Sequence, residues 1–189
     1  MDEKQEKIVP DIDYEKSIAK QKLVYNRKGY FVVDYILSSG VMILLITSML
    51  YAGYFALKDE SNYFLFPISL LAEAWLVVSL FFLNKLVKVN GKGIVRNKED
   101  VMNTLKHFYT ELTFEASEEN IIRDVKPTFW GPGRDLIVLL DGNDVYFHKA
   151  SLMKGSSINP ASGFTDNLKA KEIAKYFQEL QAKSETQSN

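Results

Sequence analysis

Residues that commonly carry chemistry are scarce in this chain. Its 189 residues include no cysteine and only two histidines, His107 and His148. The lack of cysteine excludes a disulfide scaffold, a cysteine-ligated zinc site and a thiol nucleophile. Neither histidine belongs to a metal-ligand spacing such as HExxH, and no GxSxG setting for a nucleophile occurs. We therefore expect no catalytic residue, metal or cofactor, with His107 on a solvated helix face and His148 at a surface or sheet edge.

A Gly-Pro-Gly-Arg segment at residues 131–134 is the stretch that most resembles a ligand loop. A phosphate cradle needs its glycines between a strand and a helix N-terminus, where free N–H groups face the anion. Here the glycines lead into the strand-like run DLIVLL, which favours a corner between two strands. A second interpretation stays open, in which Trp130, Arg134 and Lys126 form a surface for a partner or an anionic headgroup.

Two apolar blocks come before the middle of the chain. Residues 35–57 contain no charged side chain, and residues 63–84 contain only Glu73. Each block is long enough to cross a hydrocarbon core of roughly 30 Å at about 1.5 Å per residue. The sequence therefore predicts a transmembrane hairpin over residues 33–86, with spans at about 35–57 and 63–84.

The distribution of lysine and arginine predicts the orientation of this hairpin. Basic residues are frequent in the arm over residues 1–32 and recur after residue 84, whereas the connector KDESN has one lysine. Because basic loops stay on the cytoplasmic side, we expect a multi-pass protein of the inner cell membrane with both termini cytoplasmic. Within the arm, residues 11–28 suggest either a short helix lying on the anionic leaflet or an ordinary basic flank.

Glu73 falls near the middle of the second predicted span, where a bare carboxylate is costly. Antiparallel packing of the two spans would bring it level with Thr47 and Ser48, and Tyr51 shares a face with Thr47. We predict an intramembrane polar cluster of Glu73, Thr47, Ser48 and Tyr51. Two roles stay open for the carboxyl group: a protonated staple between helices or subunits, and a proton- or ion-coupling site.

Residues 87–182 have the pattern of a small α+β domain that follows the hairpin. Residues 89–93 predict a flexible joint, and Asn97 predicts the cap of a helix. Strand-like alternation then begins over residues 111–116, and residues 121–126 predict the returning strand of a hairpin. Residues 135–140 are apolar on both faces, as expected of a central strand, and residues 144–149 predict the strand that returns after a turn at Asp141-Gly142. A last helix runs from residue 165 or 166 to 180, and residues 183–189 predict a disordered tail. The predicted order is helix, a four-stranded antiparallel sheet, helix.

The end of this domain resembles a known family. The stretch GPGRDLIVLLDGNDVYFHKASL and the terminal AKEIAKYFQEL are similar to the strand, turn, strand and amphipathic helix that end YcxB-like, pleckstrin-homology-like domains. The layout of two spans before an α+β domain is also similar to uncharacterised bacterial two-span membrane proteins. The resemblance implies binding or assembly rather than catalysis.

Together these patterns favour a non-enzymatic integral membrane protein. It would anchor a cytoplasmic domain that binds protein or lipid, and would assemble laterally through the Glu73 face. The alternative is a small accessory subunit of a transporter or respiratory-type complex, with Glu73 in a proton or ion path. Expected partners are membrane lipid and either another membrane protein or a second copy. Nucleic acid is not expected, because the net charge is −1.

Overall fold

The chain forms two compact units. One contains Met1–Asp13 and Val24–Ala74, and the other contains Tyr14–Leu23 and Trp75–Asn189. The computed structural model describes residues 12–25, 40, 44, 46–55, 58, 65–112, 120–126, 133–153 and 158–186.

The second unit is built on one antiparallel sheet of four strands in the order β1-β4-β3-β2. The strands are β1 (Val87–Asn90), β2 (Ile121–Lys126), β3 (Gly133–Asp141) and β4 (Asp144–Leu152). A tight turn joins β3 to β4, where Asp141 pairs with Asp144 and Gly142 has a φ of 59°. Glycine takes this left-handed conformation without steric cost, so the predicted turn at Asp141-Gly142 is confirmed.

Two helices cover one face of this sheet: α3 (Ile94–Phe108) and α4 (Gly163–Thr186). A short 3-10 helix, Pro160–Ser162, precedes α4 directly. The buried positions of α3 and α4 recur every three or four residues, so each helix presents one apolar stripe to the strands. These stripes and the facing strand residues form the core, which includes Val101, Leu105, Val138, Phe147, Ile173 and Phe177.

The opposite face of the sheet is buried as well. Helix α1 (Tyr14–Lys20) contacts β3, and the Tyr14 hydroxyl donates a hydrogen bond to the carbonyl oxygen of Leu140. Ile137 and Leu139, which alternate with the core residues along β3, are completely buried. The run DLIVLL is therefore apolar on both faces because β3 is covered on both sides.

Helix α2 (Leu65–Phe82) belongs to the first unit up to Ala74 and to the second unit from Trp75. In the first unit, residues 46–55 are also helical. They pack closely against α2 at Gly53, where an added Cβ would lie 2.8 Å from Ser69 Oγ. The absence of a side chain at Gly53 allows this approach.

Three predicted element boundaries in the α+β region are wrong. Residues 87–90 form strand β1, although residues 89–93 predicted a joint, so the observed order is strand, helix, three strands, helix. Residues 111 and 112 are not in a strand, and the rest of the strand predicted at 111–116 lies outside the described residues. Helix α4 continues to Thr186, into the predicted disordered tail, and residues 187–189 lie outside the described residues.

The predicted transmembrane hairpin is also wrong. Among the described residues, no helix has both the length and the apolar character that crossing a bilayer requires. Helix α2 has 18 residues, which rise about 27 Å, less than a hydrocarbon core of roughly 30 Å. The predicted span at 63–84 would have been longer, but the helix ends at Phe82. Of the predicted span at 35–57, part lies outside the described residues.

Several expectations depended on this hairpin and are corrected with it. The integral membrane function, the accessory-subunit alternative, the multi-pass arrangement and the location in the inner membrane all required a spanning helix, which the described residues lack. The charge-bias argument for cytoplasmic termini has no basis without such a helix. What the structure shows is a small α+β fold with a four-stranded antiparallel sheet.

Candidate functional site

Two residues of the predicted partner surface lie side by side at the end of the sheet. Lys126 of β2 and Arg134 of β3 are directly paired across the strands, so their side chains leave the same face. Lys126 forms an ion pair with the exposed carboxylate of Glu111, which lowers the pKa of that carboxyl. The third predicted member, Trp130, lies outside the described residues.

Arg134 is held by contacts on several sides. Its Nε donates to Asp124 Oδ2 at 2.9 Å, and its Nη2 donates to the carbonyl oxygen of Glu111. The guanidinium lies over the ring of Tyr109, 4.4 Å from the centroid. Burial raises the pKa of the Tyr109 phenol to about 12, against the lowering effect of the Arg134 charge. The Tyr109 hydroxyl is buried and meets no hydrogen-bond partner among the described residues.

A second polar network, centred on Asp166 in the first turn of α4, lies on the same sheet face. The carboxylate pairs with Lys149 and accepts hydrogen bonds from the Ser151 backbone N–H at 2.7 Å and from Ser162 Oγ at 2.6 Å. An acidic side chain in this position also interacts favourably with the N-terminal end of the helix dipole. This network ties α4 and the preceding 3-10 helix to β4.

The charged side chains at this polar end of the sheet therefore largely neutralise one another. Lys126, Arg134 and Lys149 each have a carboxylate partner, and the side chain of Arg134 is only 16% exposed. Ion pairs of this kind position helices and strands, and they leave little uncompensated charge for an external anion. Binding of a partner or a headgroup by Lys126, Arg134 and Trp130 stays a prediction.

Glu73 and the residues predicted to surround it differ in exposure. Glu73 is only 8% exposed, and its Oε1 meets no hydrogen-bond partner among the described residues. Thr47, Ser48 and Tyr51 lie at exposed positions of the helical segment 46–55. The ring of Tyr51 contacts that of Phe55, with centroids 4.7 Å apart. A hydrogen bond between this set and Glu73 stays a prediction.

The most unusual surface of the second unit is the C-terminal part of α2. Phe81 is 71% exposed, although a large aromatic side chain is normally sheltered from water. Three neighbouring side chains, Val77, Val78 and Leu80, are each at least 40% exposed. We call these four residues the helix patch. With Lys22 at its edge, most of the patch lines a shallow groove.

The other side of the same helix segment is firmly attached to the 3-10 helix and α4. Trp75 Nε1 and Ser79 Oγ both donate hydrogen bonds to the carbonyl oxygen of Ala161, at 3.1 and 3.0 Å. An added Cβ at Gly163 would lie 2.1 Å from the Ser79 carbonyl oxygen. At 3.6 residues per turn, Ser79 points away from the helix patch. The patch is therefore presented on a helix whose orientation within the second unit is fixed.

The first unit exposes apolar side chains of its own. Leu71 is 71% exposed and Leu44 is 70% exposed, and Met49 and Ile68 are also largely open to solvent. Isolated exposed apolar residues are ordinary, but runs of them along helices mark surfaces that other molecules cover.

Two other features offer no chemistry among the described residues. No group of three or more histidine, cysteine, aspartate or glutamate side chains could hold a metal ion there. A shallow concavity lies around residues 92–100, where Lys92 Nζ donates to the carbonyl oxygen of Gln181 and Arg96 donates to Ser184 Oγ. These contacts fasten the end of α4 to the first turn of α3 and the loop before it.

Sequence reasoning misjudged two polar residues of the second unit, Asn97 and His148. Asn97 is not a helix cap: it is completely buried within α3 and accepts from the Lys92 N–H at 2.7 Å. His148 is 4% exposed in the middle of the sheet, so the expected surface position is wrong. His107 is exposed as predicted, but its ring stacks on Tyr176 with centroids 4.1 Å apart.

No protein-family profile, curated protein or solved structure matches this chain. The function must therefore be inferred from the surfaces and contacts of the chain itself.

Proposed function

We propose that this protein is a non-enzymatic interaction protein that associates with a second copy of itself through the helix patch. The observation that carries the proposal is the exposure of Val77, Val78, Leu80 and Phe81 along one side of α2. A helix that is apolar around its circumference is normally covered by other protein. Burial of each large apolar side chain contributes about 1.5–3 kcal/mol, which provides a driving force for association.

The chemistry of the patch favours a second copy as the partner. The patch contains no charged or hydrogen-bonding side chain, so a complementary surface must be apolar as well. An identical patch meets this requirement, and two-fold pairing of identical surfaces is the most common form of oligomer. Lys22 lies at the edge of the groove, where its ammonium group would stay in water at the rim of the interface.

The attachment of α2 supports the same proposal. Because Trp75 and Ser79 donate hydrogen bonds to the carbonyl oxygen of Ala161, the patch has one orientation before any partner binds. Preorganisation of this kind lowers the entropic cost of binding.

Sedimentation velocity of the purified full chain over a range of concentrations tests this proposal. We expect a concentration-dependent dimer, and we expect Phe81→Glu to weaken it at least tenfold, which corresponds to about 1.4 kcal/mol. The matched control is Val95→Glu. Val95 is 87% exposed on α3 and lies outside the patch, so the same change of chemistry should leave the dimer intact.

Two results would overturn the proposal. One is a wild-type chain that stays monomeric at every concentration, and the other is a dimer that Phe81→Glu and Val95→Glu weaken equally. Circular dichroism of both variants separates these results from misfolding. Because both side chains are exposed, we expect both spectra to match the wild type.

A further inference from the structure

His148 is a buried histidine whose two ring nitrogens have different environments. Nδ1 lies 3.2 Å from the carbonyl oxygen of Lys85. A carbonyl oxygen only accepts, so Nδ1 must carry the proton and the neutral ring leaves Nε2 as an acceptor. Nε2 is buried and meets no hydrogen-bond partner among the described residues. The site is therefore built around the neutral form of the ring.

The contact with Lys85 holds a junction between three parts of the second unit. Lys85 lies in residues 83–86, which connect the end of α2 to β1, and it forms a β-bridge with Lys22. The Leu23 N–H donates to the Asn84 carbonyl oxygen at 2.8 Å. The Leu86 N–H donates to the Gln21 carbonyl oxygen at 3.2 Å. His148 thereby fastens the segment after α1 and the end of α2 to the central strand β4.

Several charged groups lie around the ring of His148. Asp135 of β3 favours the protonated ring, but its carboxylate already receives two hydrogen bonds from Arg123 of β2. The remaining charges are those of Lys149 on β4, Asp166 on α4, and Lys85 and Lys22 at the junction. Lys149 and Asp166 act from the other face of the sheet and are paired with each other. None of these groups gives Nε2 a direct acceptor.

We propose that His148 is an acid-sensitive latch, whose protonation releases residues 83–86 and residues 21–23 from the sheet. Protonation would place a second N–H at Nε2, in a buried space with no acceptor among the described residues. It would also place a positive charge beside the Lys85 backbone, where burial disfavours charge. Withdrawal of the junction admits water to the ring and relieves both costs. Acidification would thus weaken the attachment of the C-terminal end of α2, the helix that carries the helix patch.

The direction of the pH dependence follows from burial. Burial lowers the pKa of His148 below its ordinary value of 6.5, although the Lys85 carbonyl and Asp135 oppose this effect. A histidine that resists protonation in the closed state makes that state less stable as the pH falls below about 6.5. The closed junction is therefore at full stability above this pH. Between pH 7.5 and pH 5.5, the equilibrium constant for opening should rise, by at most roughly tenfold.

Hydrogen–deuterium exchange of the full chain tests the latch, with rates corrected for intrinsic exchange at each pH. We expect the protection of peptides covering residues 84–86 and 21–23 to fall at pH 5.5 relative to pH 7.5, by up to roughly tenfold. In His148→Asn, the side-chain amide can still donate to the Lys85 carbonyl but does not titrate, so the loss should disappear. His107→Asn removes the other histidine, which is exposed, and should retain the wild-type response.

Two results would overturn the latch: equal loss of protection in His148→Asn and wild type, and no loss in the wild type. A second measurement does not depend on the folding of a variant. Long-range proton–nitrogen correlation spectra of the wild type at pH 7.5 report which ring nitrogen is protonated. The Nδ1–H form is expected, and the Nε2–H form would contradict the proposal.

Discussion

Apolar side chains are buried in the sheet but exposed on the C-terminal part of helix α2. In the sheet, apolar residues are buried on both faces, and Ile137, Leu139 and Phe177 of its core are at most 2% exposed. On α2, Phe81 is 71% exposed although it is as apolar as Phe177. The core of the second unit is complete within one chain, whereas the surface of α2 is not. We interpret this difference as a division between a self-contained scaffold and a surface that needs a partner.

The largest expected difference between the two regions comes from the same substitution, phenylalanine to alanine, made once in each of them. Phe177→Ala should reduce the free energy of unfolding by about 3–5 kcal/mol, because it leaves a cavity beside Phe147 in a packed core. Phe81→Ala should change it by less than about 0.5 kcal/mol in dilute, monomeric protein, because the side chain is already in water. Urea unfolding of the two variants measures both values. Equal losses would show that Phe81 belongs to the core of the single chain.

Removal of a buried ion pair from the scaffold should have the next largest effect on the free energy of unfolding. Arg123→Ala should cost about 3 kcal/mol, because Asp135 would remain buried without its counter-charge. The control is Lys175→Ala, which removes an exposed i,i+4 partner of Glu179 and should cost less than about 0.5 kcal/mol. Thermal unfolding monitored by circular dichroism measures the difference. A mild effect of Arg123→Ala would mean that water reaches this pair.

These two regions also show what the sequence could predict. The Asp141-Gly142 turn between two strand-like runs correctly predicted the hairpin of β3 and β4, because a tight turn of this kind joins neighbouring antiparallel strands. The apolar block at residues 63–84 predicted a span, because a helix that is apolar at nearly every position has the same composition whether lipid or protein covers it. His148 was misplaced for a related reason. Its ring lies against the Lys85 carbonyl of residues 83–86, which the local sequence around β4 does not indicate.

The attachment of α2 to the scaffold can be tested at Gly163. Gly163→Ala should cost about 1–3 kcal/mol, because the new Cβ would lie 2.1 Å from the Ser79 carbonyl oxygen. Gly40→Ala is the control at another helical glycine. No atom lies within 4 Å of its Cβ position, and the substitution should stabilise the helix by up to about 1 kcal/mol. Chemical denaturation distinguishes the two signs.

The smallest expected effect on stability is that of removing Lys126, the exposed cation at the polar end of the sheet. Lys126→Ala should cost less than about 0.5 kcal/mol, because its pair with Glu111 lies in water, where ion pairs contribute little. Urea unfolding at low and high salt measures this value. A loss above about 1 kcal/mol would indicate that Lys126 supports the scaffold, and would remove it as a residue free to meet a partner.

The central claim is that two copies meet at the helix patch, and a spin label tests it most directly. The chain contains no cysteine, so Lys22→Cys provides a single labelling position at the rim of the patch, outside its apolar contact surface. Double electron–electron resonance should then give a defined distance between labels on two copies, and mixing with unlabelled chain should reduce the modulation depth. The measurement is made at the highest concentration used for sedimentation velocity. A signal there that contains only the background decay of separate molecules would contradict the account.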